Sequence, residues 1–303
     1  MQNVIEVRGL RKRYGAQHAV RDVTFEVGAG EIFGIVGPNG AGKTTTVECV
    51  VGLREPDAGT VRVLGLDRAQ DARELRERVG IQLQSSELPA KLTVGEALRL
   101  YTSFYRKPAD WRVLLTDWGL ADKERTAFGK LSGGQKQRLS IALALAGTPE
   151  VVILDELTTG LDPQARREAW GFVERLRAGG VTVVLVSHFM EEVERLCDRV
   201  AVISAGRIVA VDTPAGLVRR AGGDQVVRFR PTSPLDDALL TALPEVRSVE
   251  RAGPQVTVSG TGNLPGAVTA VLARHGIVAA ELRIEQASLD DAYATLTTER
   301  EKS

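Results

Sequence analysis

Along the first two thirds of the chain, short apolar runs alternate with stretches of helical period. Residues 4–7, 23–27, 32–36, 61–64, 79–83, 151–154, 181–186, 200–203 and 208–211 are rich in Val and Ile and read as strands. Several are apolar throughout rather than alternating, which marks strands covered on both faces. Helical patterns fall at 42–51, 69–78, 94–105, 111–118, 134–146, 163–178 and 190–197. This alternation predicts an α/β fold with a mainly parallel, helix-covered sheet. Between 85 and 148 the strands stop and helices follow one another, which predicts a helical insert. After Gly222-Gly223 the order becomes strand, helix, strand, strand, helix, strand, over 226–230, 235–243, 246–251, 255–259, 265–274 and 282–285. That is a ferredoxin-like order, closed by a short helix at 289–296. The expected organisation is therefore a large unit at 1–221 and a small α+β unit at 222–303.

The 303 residues are 43% apolar and 26% charged, ordinary values for a chain that buries a core. The formal net charge is zero, so no overall basic bias points to nucleic acid or an acidic membrane surface. Cys49 and Cys197 lie in apolar helical contexts without CxxC or Cys/His spacing, and read as reduced core thiols. No apolar run approaches the roughly 18 residues a membrane span needs, and the first ten residues lack a signal region. Neither a span nor a secretion address is expected.

Chemistry first enters at Gly37-Pro38-Asn39-Gly40-Ala41-Gly42-Lys43-Thr44, set between a strand and a helix. It fits G-x-x-x-x-G-K-[ST], in which glycines let consecutive N–H groups turn inward around phosphate oxygens. The following helix, on which Thr45 comes next, presents its positive end to the same anion. Lys43 is placed to reach the β- and γ-phosphates, and the Thr44 hydroxyl to ligate Mg²⁺. The apolar strand 151–154 ends in Asp155-Glu156. Buried parallel strands deliver their last residues to the edge where ligands bind. Neighbouring strand side chains face opposite ways. Asp155 is thus expected to hold Mg²⁺ through water, and Glu156 to face the attacking water as general base.

Leu131-Ser132-Gly133-Gly134-Gln135 sets one class of phosphate-loop ATPases apart. With it, residues 3–221 resemble the ATP-binding-cassette (ABC) family. The resemblance implies a P-loop cassette with a mainly parallel core, an antiparallel β subdomain and a helical subdomain at about 85–148. In that family Ser132, Gly133, Gly134 and Gln135 would open a helix facing the γ-phosphate bound by the opposite subunit. ATP would then be held between two head-to-tail monomers, with Mg²⁺, in a homodimer. The resemblance further matches Tyr14 to the aromatic that stacks on adenine. It matches Gln84 to the glutamine near Mg²⁺ and the attacking water; Gln82 is the rival by spacing. Asp162 falls in the segment that couples the two sites, and His188 where a γ-phosphate hydrogen bond is expected. One departure stands out: Leu157 follows the catalytic glutamate where the family usually has Pro. Proline would fix φ and remove a donor, so leucine leaves the backbone beside Glu156 freer, without removing a catalytic group.

The largest class in this family comprises cytoplasmic motor subunits of transporters. That resemblance implies a separate polytopic permease, docked where the helical insert meets the core around 85–105, and a place at the cytoplasmic face of the plasma membrane. The stretch 287–296 resembles the ending of exporter subunits of the drug- and antibiotic-resistance kind (ABC-2 type). Here Asp290 replaces Glu and Ala292-Tyr293 replace Val-Phe. A soluble relative acting on nucleic acid or ribosomes, a nucleotide switch and an importer subunit are the competing readings. Two cassettes in one chain, a splitting coiled coil or a basic stripe would favour the first of these, and none is present.

Overall fold

In the computed structural model, which describes residues 2–83, 87–221, 225–285 and 288–301, β1 (Asn3–Tyr14) and β2 (Gln17–Gly28) form an antiparallel hairpin. The chain continues through β3 (Ile32–Val36), α1 (Lys43–Val50), β4 (Ala58–Val63), β5 (Leu66–Asp67), α2 (Ala72–Arg78) and β6 (Val79–Gln82). Three helices follow: α3 (Val94–Thr102), α4 (Trp111–Asp117) and α5 (Gly133–Ala144). Then come β7 (Val151–Asp155), α6 (Pro163–Ala178), β8 (Thr182–Ser187), α7 (Met190–Leu196), β9 (Arg199–Ser204), β10 (Arg207–Asp212) and α8 (Pro214–Arg220). Contacts divide the chain into two compact units, Met1–Pro214 and Ala215–Ser303. The boundary expected at Gly222 lies outside the described residues.

Two sheets build the larger unit. One is antiparallel, in the order β2-β1-β4-β5, and the other has six strands in the order β10-β9-β3-β8-β7-β6. In the second sheet only the β9–β10 pair is antiparallel. Every residue of β3, β7 and β8 is buried, which is why their sequences run apolar without alternation. Each fully buried Val, Leu or Ile side chain contributes roughly 1.5–3 kcal/mol relative to exposure. Such packing specifies register strongly, because a one-residue slip would turn each strand's faces around. The register pairs Val36 with Ser187 and Asp155 with Val186, so these three strands end together at one edge.

Between β6 and β7 the described residues contain helices and a single isolated bridge, Thr93–Ala127. The helix starts carry their own signals. Thr93 with Glu96 and Ser132 with Gln135 form capping boxes, while Asp162 caps α6 ahead of Pro163.

The smaller unit takes in all of α8 but Pro214, then β11 (Gln225–Pro231), α9 (Ala238–Thr241), β12 (Val246–Ala252), β13 (Gln255–Gly260), α10 (Leu264–Arg274), β14 (Ala279–Glu285) and α11 (Leu289–Glu301). Its sheet runs β12-β13-β11-β14 with every pair antiparallel. Each helix crossover therefore leaves one strand between the two it connects, a split β-α-β arrangement. The helix expected at 235–243 shrinks to four residues. Asp236 accepts the Ala238 N–H at 2.9 Å and Asp237 pairs with Arg251, so the stretch before Ala238 serves as a cap and an anchor. At the tail, Ser288 and Asp291 exchange cap hydrogen bonds, and Leu289 and Ala292 are buried. The exporter-like ending thus contains a helix start; Ala287 lies outside the described residues.

Candidate functional site

The chain leaves β3 at Val36 and turns into α1 through the glycine-rich loop. Two glycines are required by contact. A Cβ on Gly37 would lie 2.3 Å from the Ile203 carbonyl oxygen, and one on Gly42 would lie 2.2 Å from that of Ala19. Gly42 also has φ +99°, a region disfavoured for residues with side chains. Because Gly42 caps α1 without a side chain, no acceptor competes for the N–H groups of the first turn. Pro38, Asn39 and Gly40 are exposed, as is Thr44, while Ala41 is buried and Thr45 half-buried.

Lys43 is nearly fully buried, its ammonium donating to the carbonyls of Gly37 at 2.7 Å and Pro38 at 3.0 Å. Burial lowers its pKa, opposed by the charges of Glu156 and Asp155. The cation therefore stands beside both carboxylates at the sheet edge.

Asp155 ends β7 with both carboxylate oxygens buried and without a hydrogen-bond partner. Burial first, then the neighbouring Glu156, pushes its pKa up to about 6; Lys43 and the nearby Thr44 hydroxyl act the other way. Two orphaned carboxylate oxygens beside a hydroxyl fit a divalent cation. Among the described residues no cluster of three or more His, Cys, Asp or Glu could hold a metal unaided.

A raised carboxyl pKa adds stability below the unfolded value near 4, and that stability is lost as pH rises through 6. Asp155→Asn should therefore melt higher than wild type at pH 8 without nucleotide, by up to about 3 kcal/mol. The same variant should lose the extra thermal stabilisation Mg²⁺ adds to ATP. In wild type that increment should fade below pH 6 as Asp155 protonates. Thermal melts with and without Mg²⁺ across pH 5–8 read all three.

Glu156 follows with φ +51°, a left-handed conformation costing about 1–2 kcal/mol for a residue with a side chain. Its N–H donates to Val186 at 2.9 Å, and its carboxylate lies 3.4 Å from His188 Nδ1. Leu157 is fully buried. Proline here would bias Glu156 toward an extended backbone; leucine leaves the left-handed conformation open. The glutamate is thus turned back toward the end of β8.

Tyr14 ends β1 with its ring partly exposed, the Lys12 ammonium 5.8 Å and the Arg54 guanidinium 5.4 Å from its centroid. Ser132 accepts the Gln135 N–H at 3.3 Å, and Gln135 Oε1 accepts the Ser132 N–H at 3.0 Å. Gln135 is thereby engaged in the helix cap, and Gly133 and Gly134 open α5. Asp162 is exposed and accepts the N–H groups of Gln164 and Ala165, both at 2.9 Å.

The fold thus gathers Gly37–Thr44, Asp155, Glu156 and His188 at one edge. Among the described residues no hydrogen bond or ion pair joins Ser132–Gln135 to the glycine loop; the polar contacts of Ser132 and Gln135 are with each other. Gln84 lies outside the described residues. Gln82 is buried, donating to the Leu83 carbonyl at 2.9 Å and that of Asp155 at 3.4 Å, so it braces the end of β7. Its signal was an amide inside an otherwise apolar strand. Gln82 was weighed in the sequence only as the rival to Gln84, whereas Glu192, buried on α7, was missed; an acid among Met190, Val193 and Leu196 was the clue.

A family model described as ABC transporter matches residues 20–159. The Nod factor export ATP-binding protein I of Burkholderia orbicola (strain AU 1054) is 42% identical over 230 residues, 74% of this chain and 76% of that protein. Its namesake in Rhizobium johnstonii (strain DSM 114642 / LMG 32736 / 3841) is 39% identical over 254 residues, 82% of this chain and 81% of that one. A solved ATP-binding subunit of an ABC transporter superposes with TM-score 0.66 at 31% identity, covering 72% of this chain and 93% of its own. A dimeric ATP-binding cassette in a post-hydrolysis state, bound to ADP and phosphate, gives TM-score 0.63 at 26% identity, with coverages of 69% and 98%.

Proposed function

The chain belongs to the ABC transporter ATP-binding family, and on that premise we propose that it is the ATP-hydrolysing motor subunit of an exporter. It works as one of two head-to-tail ATP-binding subunits beneath a separate membrane permease. The observation that carries the hydrolytic reading is the convergence at the sheet edge. Lys43 stands beside Asp155 and Glu156, and Glu156 lies 3.4 Å from His188.

In this reading the N–H groups of residues 37–45 and the Lys43 ammonium hold the triphosphate, and the Tyr14 ring stacks on adenine. Thr44, Gln84 and Asp155 would hold Mg²⁺, which would neutralise developing phosphate charge. Glu156 takes the proton of the attacking water, whose oxygen bonds to the γ-phosphorus while the β–γ bridging oxygen leaves with ADP. His188 hydrogen-bonds the γ-phosphate. Ser132–Gln135 of a second copy closes the site from outside, and Asp162 couples the two sites. Closure on ATP and reopening after hydrolysis give two states that can drive a permease.

Among the described residues no helix is long and apolar enough to cross a membrane. A cleft of about 710 Å³ lies between the helical insert and the core, with Tyr101, Phe104, Tyr105 and Phe128 among its lining and Arg73 and Arg76 beside them. Its aromatic lining, flanked by charges of both signs including Glu77 and Glu87, suits an amphipathic cytoplasmic helix of the permease. Attachment there places the subunit at the cytoplasmic face of the membrane. Export as the direction of transport is supported by the names of the Nod factor export relatives and by the tail sequence.

The test is affinity capture from detergent-solubilised cells followed by ATPase assay. Recovery of a polytopic membrane protein, with turnover stimulated by the compounds it extrudes, is the expected result. Recovery of ribosomes or DNA in its place overturns the transporter reading.

A further inference from the structure

Glu192 has no solvent exposure, and none of the roles above uses it. A buried carboxylate costs several kcal/mol unless it is well partnered, so its partners indicate what it is for. Oε2 accepts the Ser187 hydroxyl at 2.5 Å, and Oε1 accepts the Trp170 indole N–H at 3.2 Å. The Ser187 oxygen in turn accepts the Phe189 N–H at 3.0 Å. The residues on either side of His188 are therefore both tied to this one carboxylate, Ser187 directly and Phe189 through Ser187.

Other groups converge on the same turn. The Phe189 ring packs 4.1 Å from the His188 ring, and the Arg166 guanidinium lies 4.8 Å from the Phe189 ring. Arg166, Trp170 and the Thr158 hydroxyl all favour the charged form of Glu192, against the burial that raises its pKa. Thr158 follows Glu156 by two positions, and Trp170 lies on the helix that Asp162 caps. Through Ser187 and Trp170 this buried anion joins the end of β8 to the helix between β7 and β8.

We propose that Glu192 is a positioning residue that fixes the Ser187–Phe189 turn and so holds the His188 imidazole beside Glu156. The inference rests on the reading of His188 as a γ-phosphate contact. A carboxylate is acceptor-only and matches the two donors aimed at it. Glutamine keeps the volume, but to meet both groups it must turn its oxygen to Trp170 and donate its N–H₂ to the Ser187 oxygen, which already accepts the Phe189 N–H. Glu192→Gln thus removes the charge and reverses the hydrogen bond that sets the Ser187 hydroxyl. Misplacement of a reacting group by an ångström can cost about 10²-fold in rate.

Steady-state ATPase assays of the purified chain with Mg-ATP, alongside thermal melts, test this with Glu192→Gln, Ser187→Ala, Ser187→Thr and His188→Ala. Glu192→Gln and Ser187→Ala should each lower kcat by about tenfold or more, with KM for ATP within about twofold. Ser187→Thr keeps the hydroxyl and should retain at least about half of wild-type kcat. A kcat within about twofold of wild type in both Glu192→Gln and Ser187→Ala, or a loss confined to KM, overturns the positioning role. Should Glu192→Gln fail to fold, the Ser187 pair decides by the same criteria. Unchanged turnover in His188→Ala would refute the reading of His188 itself. A loss there without one in Glu192→Gln refutes only the positioning role.

Discussion

Glu156→Gln should bind Mg-ATP with near-wild-type affinity while its turnover falls by about 10²–10⁴-fold, the range a positioned general base supplies. Glutamine keeps the size of the side chain and one acceptor oxygen, so the turn after β7 and the contact toward His188 persist in shape. What it loses is the capacity to take the water's proton. With hydrolysis blocked, the closed state should accumulate, and light scattering with Mg-ATP should report a dimer where the nucleotide-free variant is monomeric. The same comparison decides what Leu157 does. Because leucine leaves the left-handed backbone of Glu156 accessible, wild type should turn over well above the variant. Equal rates in the two would identify a chain that binds ATP without using Glu156 as base.

Lys43→Met should abolish tight nucleotide binding. In this structure the ammonium rests on the Gly37 and Pro38 carbonyls and is nearly fully buried. Its bonds to phosphate oxygens would be charge-assisted, each contributing about 1.5–3 kcal/mol. Loss of two such bonds weakens affinity by on the order of 10²–10⁴-fold. Methionine preserves most of the packed stem and removes a charge that burial already disfavours. The nucleotide-free melting temperature should therefore stay level or rise while the Mg-ATP-induced increase disappears. Calorimetric titration of ATP settles the point: a Kd within about threefold of wild type would remove Lys43 from the phosphate site.

Much of the site was legible because its chemistry is local. The glycine loop must be contiguous for consecutive N–H groups to converge, so it shows as an unbroken motif. Asp155 and Glu156 show as acids closing an apolar strand, and Ser132 as the start of a helical period. The solid apolar strands of the core announced a sheet covered on both faces, and β3, β7 and β8 are buried at every position. The short α9 escaped the periodicity because Asp236 and Asp237 are spent on a cap and an ion pair.

Sequence by itself determined the strand–loop–helix unit around Lys43, the carboxylate pair at the end of β7, and the family, since each depends on neighbours along the chain. Tertiary structure alone decided what those residues meet. The parallel register brings Val36, Asp155 and Ser187 to one edge, so that Lys43 senses both acids and His188 reaches Glu156. The left-handed turn at Glu156, the brace from Gln82 and the buried Glu192 all depend on partners distant in sequence. Their energies come from burial, which no single segment possesses before the sheet has formed.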